Sequence, residues 1–184
     1  MSHDILNVAY IGNGKSTNRY HMPIVPALPD KFRVKTILAR HIDHSVWAAV
    51  PGVHYTTDLD ALLSDPTIDV VEVTTPSAAH YDMAKRVLEA GKHCTVDKPF
   101  AATVDQAEDL FACAEQHGVT VQCYQNRRFD SDFVTAKNVV ASGKLGHIFE
   151  VVTTYDYWRP TLGKAAPYDL LNSSAYGHSS HCLD

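Results

Sequence analysis

The stretch that most limits how this chain can fold is Leu6–Thr17, LNVAYIGNGKST. Val8, Ala9, Tyr10 and Ile11 make an apolar run of strand length, and the run stops at Gly12-Asn13-Gly14. The spacing predicts a buried strand, a glycine turn, and a helix starting near Asn18–Arg19 and running towards Leu28. Strand, turn and helix in that order set backbone N–H groups and the positive end of a helix against a phosphate. Gly12 then supplies the tight turn. Gly14, having no Cβ, lets a pyrophosphate approach the main chain.

Two templates share these letters. The dinucleotide pattern G-x-G-x-x-G is met at its first two glycines, with Thr17 in the third place. The P-loop pattern G-x-x-x-x-G-K-[ST] is met at Gly14-Lys15-Ser16, with Ala9 where its first glycine belongs. In a P-loop the strand ends before that first glycine. Here the apolar run continues through Ala9, Tyr10 and Ile11 and only then meets glycine. No clean apolar run ends in an Asp suited to magnesium. The dinucleotide reading is favoured over a nucleoside triphosphate, and a plain glycine turn is the third reading.

Downstream, Phe32–Leu38 alternates as a second strand and ends at Ala39-Arg40-His41. An acid at that point takes the ribose hydroxyls of NAD, whereas an Arg suits the extra phosphate of NADP. Arg40 favours NADP; the plain alternative is a solvated basic turn. Asp58–Ser64 is a short helix capped by Thr57 or Asp58. Asp69–Thr74 is a third strand with Glu72 in its middle, which requires a polar edge or a partner elsewhere. A turn at Thr74–Ser77 leads into a helix, Ser77–Ala90, closed by Gly91. His93–Val96 is a fourth strand, followed at once by Asp97-Lys98-Pro99. A helix over Thr103–His117 and a strand over Val119–Tyr124 complete the set.

Strands alternating with helices indicate an α/β fold, a doubly wound parallel sheet whose ligands sit at the strands' carboxyl ends. Gly12–Lys15, Thr74–Ser77, Asp97–Pro99 and Gln125–Arg128 all fall there. The pattern changes near Tyr124–Asn126. Residues 1–124 are expected to form the dinucleotide-binding domain, and 125–184 the beginning of a second, substrate and oligomerisation domain. In the latter, Asp130–Ser142 reads as a helix and Ile148–Tyr157 as one long strand of a different, antiparallel sheet. Ser173 or Ser174 caps a last helix.

Composition narrows the classes further. Of 184 residues, 45% are apolar and 20% charged, so the chain can bury a core. A net charge of −5 offers no general attraction to nucleic acid or an anionic membrane. The apolar runs are strand-sized, so no membrane span is expected. The start, MSHDILN, has neither a basic nor an apolar leader region, so no secretory signal is expected. Four cysteines without a C-x-x-C read as reduced thiols of a cytoplasmic protein.

The ordered set Gly12-Asn13-Gly14, Thr75-Pro76 with His80, Asp97-Lys98-Pro99, Asn126-Arg127-Arg128-Phe129, and Tyr176 through His181 with Asp184 resembles the Gfo/Idh/MocA family of NAD(P)-dependent oxidoreductases. The likeness spans nearly the whole chain. It is nearest to a subgroup with a Gly-x-Gly-Lys-Ser-Thr turn, which accounts for Lys15 and Ser16 without a P-loop. The resemblance implies a Rossmann domain that binds NADP or NAD and a second α/β domain that binds a small-molecule substrate and builds homo-oligomers. It implies hydride exchange between the nicotinamide ring and a carbon of a sugar, polyol or related compound.

Residue by residue, the resemblance places Gly12, Asn13, Gly14, Lys15, Ser16, Arg40, Thr75, Pro76, His80, Asp97, Lys98, Asn126 and Arg159 about the cofactor. Arg128 and Trp158 fall near the nicotinamide or the substrate. Lys98 matches the lysine of a Glu-Lys-Pro motif, where an ammonium holds charge on the substrate oxygen. Asp97 stands in for the Glu, and the Lys98–Pro99 bond is a candidate for cis. His181 matches a histidine that takes the substrate's proton. The carboxylate that usually accompanies it is replaced by Gly177, which opens a second reading, a non-catalytic nucleotide-binding relative. His178, His181 and Asp184 have loose spacing, and no metal site is expected.

Against its family the chain is short by nearly half and ends inside the helix expected to carry His181. A lone strand cannot satisfy its edges, so Ile148–Tyr157 needs a second copy, further sequence, or no fixed order.

Overall fold

The computed structural model describes residues 5–154 together with Trp158, Ser179 and His181. Two compact units are found, residues 1–124 and 125–184. The first carries six strands: β1 (Leu6–Ile11), β2 (Phe32–Leu38), β3 (His54–Thr56), β4 (Val70–Val73), β5 (His93–Val96) and β6 (Val121–Cys123). All pairings are parallel, in the order β3-β2-β1-β4-β5-β6. This is the doubly wound order of a Rossmann sheet, with the switch point between β1 and β4.

Period-two alternation divides the strand residues between two cores. Ala9 and Ile11 of β1, Val71 and Val73 of β4, and Cys94 and Val96 of β5 face one side. There they meet three helices, α1 (Leu59–Ser64), α2 (His80–Glu89) and α3 (Val104–His117), through Leu62, Ala84, Val87, Leu88, Leu110 and Ala114. Val8, Tyr10 and Ile37 face the other side and form a smaller core with Met22, Val25 and Val34 packed against it.

Helix ends follow local chemistry. The side chain of Asp58 accepts the Ala61 N–H at 2.9 Å to start α1. Thr103 Oγ1 accepts the Gln106 N–H at 3.2 Å to start α3, while Gln106 Oε1 reaches back to the Ala102 N–H. Gly118 ends α3 in the left-handed region at φ 67°.

Three expectations differ from the structure. The helix after the glycine turn starts earlier, at Lys15, and does not run to Leu28. It becomes a π-helical turn over Thr17–His21 and then a separate 3-10 turn over Val25–Ala27. Pro23 and Pro26 explain the break, since each removes a helical N–H and crowds the preceding turn. A sixth strand, β3, was not anticipated; it is three residues long and pairs only with β2. Of the long strand expected over Ile148–Tyr157, residues 148–154 make no ladder, and 155–157 lie outside the described residues. A strand needs a neighbour to receive its N–H and C=O groups, and none is present among the described residues.

The second unit contains a 3-10 turn, Asn126–Phe129, and α4 (Ser131–Ala141). Asp130 lies between the end of that turn and the start of α4, and its carboxylate accepts from Arg127 at 2.6 Å.

Candidate cofactor site

The carboxyl ends of β1, β4 and β5 bring three turns together, and hydrogen bonds stitch them. Gly12 leaves β1 with φ 127°, and its N–H donates to the Leu38 carbonyl at 2.9 Å. The end of β2, and with it Arg40 two residues further on, is thereby tied to the glycine turn. On the other side, the Thr74 N–H donates to the Ile11 carbonyl at 3.0 Å. A Cβ on Gly12 would lie 2.8 Å from the Thr74 carbonyl oxygen, so only glycine fits here. Gly14 is the opposite case. A Cβ there would meet nothing within 4 Å.

Thr17, where the dinucleotide pattern has its third glycine, is fully buried. Its hydroxyl donates to the Gly12 carbonyl at 2.7 Å and shares a 2.8 Å hydrogen bond with Thr74 Oγ1. The residue that prevents the closest helix–strand approach thus closes the turn by hydrogen bonding instead. Asn18 adds a second tie, its amide donating to Asn13 Oδ1 and to the Gly14 carbonyl, both at 2.9 Å. Lys15 is exposed beside them.

The β5 turn joins through Ser16, whose hydroxyl donates to Asp97 Oδ2. Asp97 also accepts the Lys98 N–H at 2.9 Å. Its shorter side chain therefore bridges the glycine-turn helix and the lysine-bearing turn. The Lys98–Pro99 peptide is cis. The β4 turn joins through His80, which is buried and lies between the Thr75 and Pro99 carbonyls. Pro76 is exposed, and Thr75 Oγ1 is buried with no hydrogen-bond partner among the described residues.

Glu72 has the partner its sequence position demanded. It sits in the ladder between Tyr10 and Thr95, on the face away from the larger core. Its carboxylate lies 3.8 Å from His21 Nδ1. Burial pushes the Glu72 carboxyl up to about 7, against the Thr95 hydrogen bond and with help from the Asp97 charge. Burial holds the His21 imidazole below its ordinary value, opposed by Asp97. His21 also stacks on Tyr124, ring centroids 4.1 Å apart, and meets Tyr10 edge-on.

Of the residues expected about the cofactor, Gly12, Asn13, Gly14, Thr75, Pro76, Asp97 and Lys98 lie on these turns, Lys15, Ser16 and His80 open the helices that follow them, and Arg40 lies two residues beyond the end of β2. Asn126 and Arg128 lie in the 3-10 turn of the second unit. His181, in that unit, is helical and half-buried. Trp158 is almost fully exposed. Arg159, Gly177, His178 and Asp184 are outside the described residues. Sequence reasoning missed the structural part played by Thr17, Thr74 and His21. Thr17 was visible as a departure from the third glycine, whereas nothing local marks Thr74 or His21.

A doubly wound sheet with a glycine turn at its switch point defines a dinucleotide-binding fold. A family model described as "Oxidoreductase family, NAD-binding Rossmann fold" matches residues 6–125. The chain belongs to this family, Gfo/Idh/MocA, whose Rossmann domain binds NAD(P). It is 45% identical over 181 residues to the uncharacterized oxidoreductase YhhX of Escherichia coli, which covers 98% of this chain and 52% of that protein. A crystal structure of a probable oxidoreductase yhhX superposes with a TM-score of 0.90 at 44% identity, over 97% of this chain and 52% of the other. The scyllo-inositol 2-dehydrogenase (NADP(+)) IolW of Bacillus subtilis is 33% identical over 157 residues, 85% of this chain and 43% of IolW. The chain spans about half the length of the curated relatives it matches.

Proposed function

We propose that the first unit binds NADP across the glycine turn and that the chain serves hydride exchange at a hydroxyl or carbonyl carbon of a sugar or polyol. The observation that carries this reading is the junction of three turns at the switch point. Ser16 of the phosphate-binding turn holds Asp97, and Asp97 holds the Lys98 backbone. The residues fit a nicotinamide dinucleotide. Gly14 leaves open space where a side chain would stand, and Thr75 offers a buried hydroxyl that no described residue satisfies. Arg40, exposed at the end of β2, suits the 2′-phosphate of NADP.

When bound, the nicotinamide supplies or accepts the hydride. The protein's own part is polar. Backbone N–H groups at the start of the helix would hold the pyrophosphate. Lys98 hydrogen-bonds the substrate oxygen and holds the charge that develops there. His181, in the second unit, takes or returns the hydroxyl proton, and Asn126 and Arg159 complete the contacts about cofactor and substrate. The similarity to IolW, a scyllo-inositol 2-dehydrogenase (NADP(+)), supports the polyol class. The second unit, residues 125–184, begins the substrate domain of a cytoplasmic homo-oligomer. The exposed Phe133, Val134, Val139 and Val140 of α4 support an assembly surface there.

Titration with NADPH, NADH and ATP, followed by cofactor fluorescence for the first two, tests the binding step. ATP binding without either pyridine nucleotide would return the site to the P-loop reading. Turnover on a panel of sugars and polyols tests the chemistry. NADPH binding without turnover on any of them favours the second reading, a non-catalytic relative, to which Gly177 points.

A further inference from the structure

His80 carries a consequence that goes beyond a place in the cofactor cleft. It opens α2, its side chain is 1% exposed, and both ring nitrogens lie within hydrogen-bond distance of main-chain carbonyls. Nδ1 lies 2.7 Å from the Pro99 carbonyl oxygen and Nε2 lies 2.9 Å from the Thr75 carbonyl oxygen. Carbonyl oxygens only accept. The ring spans the gap between the two oxygens, with a ring N–H to donate across it. The two carbonyls belong to different turns, one following β4 and one following β5. The second is the turn that bears Lys98.

We propose that His80 is a positioning residue for Lys98, a buried clamp that spans the β4 and β5 turns and fixes one against the other. The proposal rests on the role given to Lys98 above. The ring itself touches neither cofactor nor substrate, because both of its polar atoms are already engaged and it is shielded from solvent. Asp97 anchors the same turn from the Ser16 side. The turn is thus held at two points, immediately before Lys98 and immediately after it. Loss of the second leaves the lysine's backbone fixed on one side only. Misplacement of a reacting group by about 1 Å costs on the order of 100-fold in rate.

Two measurements test the clamp. The first is the ring ¹⁵N NMR spectrum of the unmodified chain, with the His80 signals identified by their loss in His80→Gln. A ring N–H protected from exchange with solvent is expected, and a ring whose N–H exchanges as fast as that of an exposed histidine overturns the proposal. The second compares wild type with His80→Gln, whose amide group cannot span both carbonyls as the ring does. The kcat per folded molecule is expected to fall roughly 10- to 100-fold while the NADPH Kd changes less than about threefold. A lower melting temperature with unchanged kcat would make His80 a packing residue and overturn the proposal. If His80→Gln does not fold, the wild-type ring spectrum decides. A wild type that binds no pyridine nucleotide would end the cofactor reading, and the same spectrum would still accept or reject the clamp.

Discussion

Replacing Gly12 by alanine separates the two glycines of the turn by what each is for. The added methyl would lie 2.8 Å from both the Thr74 carbonyl oxygen and its hydroxyl, and 3.0 Å from the carbonyl carbon. Two of those atoms are backbone, and Thr74 is pinned by its N–H to Ile11 at 3.0 Å. They cannot swing aside as a side-chain tip would. The φ of 127° adds strain for any L side chain, about 1–3 kcal/mol. Overpacking adds about 1–3 kcal/mol more. The total, about 2–6 kcal/mol, is a large share of a typical net stability of about 5–15 kcal/mol. At about 2–4 °C per kcal/mol for a chain of this size, melting should fall by about 5–20 °C. Gly14→Ala is the control. Its methyl enters open space at an ordinary φ, so stability should change by less than about 0.5 kcal/mol. The same methyl would stand where the pyrophosphate approaches, so NADPH affinity should fall about tenfold or more, a loss of about 1.4 kcal/mol. Thermal melts with and without NADPH read both effects. A Gly12→Ala protein melting within about 2 °C of wild type would refute the steric account. A Gly14→Ala protein that binds NADPH normally would place the pyrophosphate elsewhere.

Other outcomes follow from the same geometry. The folded chain keeps a proton on Glu72 up to about pH 7, while the unfolded chain releases it above 4.5. The fold therefore binds the extra proton in that window and loses stability as pH rises through it. Glu72→Gln should be more stable than wild type at pH 8, by at most about 3 kcal/mol, with the gain shrinking towards pH 5. His21 acts in the opposite sense below pH 6.5, since its buried ring resists protonation that the unfolded chain accepts. Denaturant titrations across pH 5–8 check this, and a pH-independent difference between wild type and variant would contradict it. Lys98→Ala should lower kcat by about 100-fold or more with little change in NADPH binding; equal turnover would remove Lys98 from the chemistry. Arg40→Ser should weaken NADPH by about tenfold and leave NADH nearly unchanged, measured by fluorescence titration. Thr103→Ala should cost about 1 kcal/mol by removing the cap of α3, read from urea melts.

The parts of the fold carried by local pattern were legible in the sequence. Five strands, the caps of α1 and α3, and the glycine turn each follow from neighbouring residues. The helix after the turn was misjudged because apolar spacing outweighed Pro23 and Pro26, although proline alone was enough to end it. β3 was missed because three residues give almost no period to read, and its existence depends on β2 beside it. The strand expected over Ile148–Tyr157 shows the converse, a strong pattern with no ladder formed over 148–154. At the site, the turn residues were recognisable from motif spacing. The pairings between distant turns were not, because nothing near Glu72 announces His21, and nothing near Ser16 announces Asp97. Contacts of that kind exist only once the sheet has set its strand order.

The two cores of the first unit are unequal, and that inequality bears on where motion is cheap. On one side α1, α2 and α3 bury a broad apolar layer; on the other, a proline-interrupted stretch covers only Val8, Tyr10 and Ile37. Local opening costs least where least apolar surface is sealed. The segment Lys15–Ala27 is therefore the element able to breathe without unzipping the sheet. A ligand seated against it would tighten the softest part of the domain.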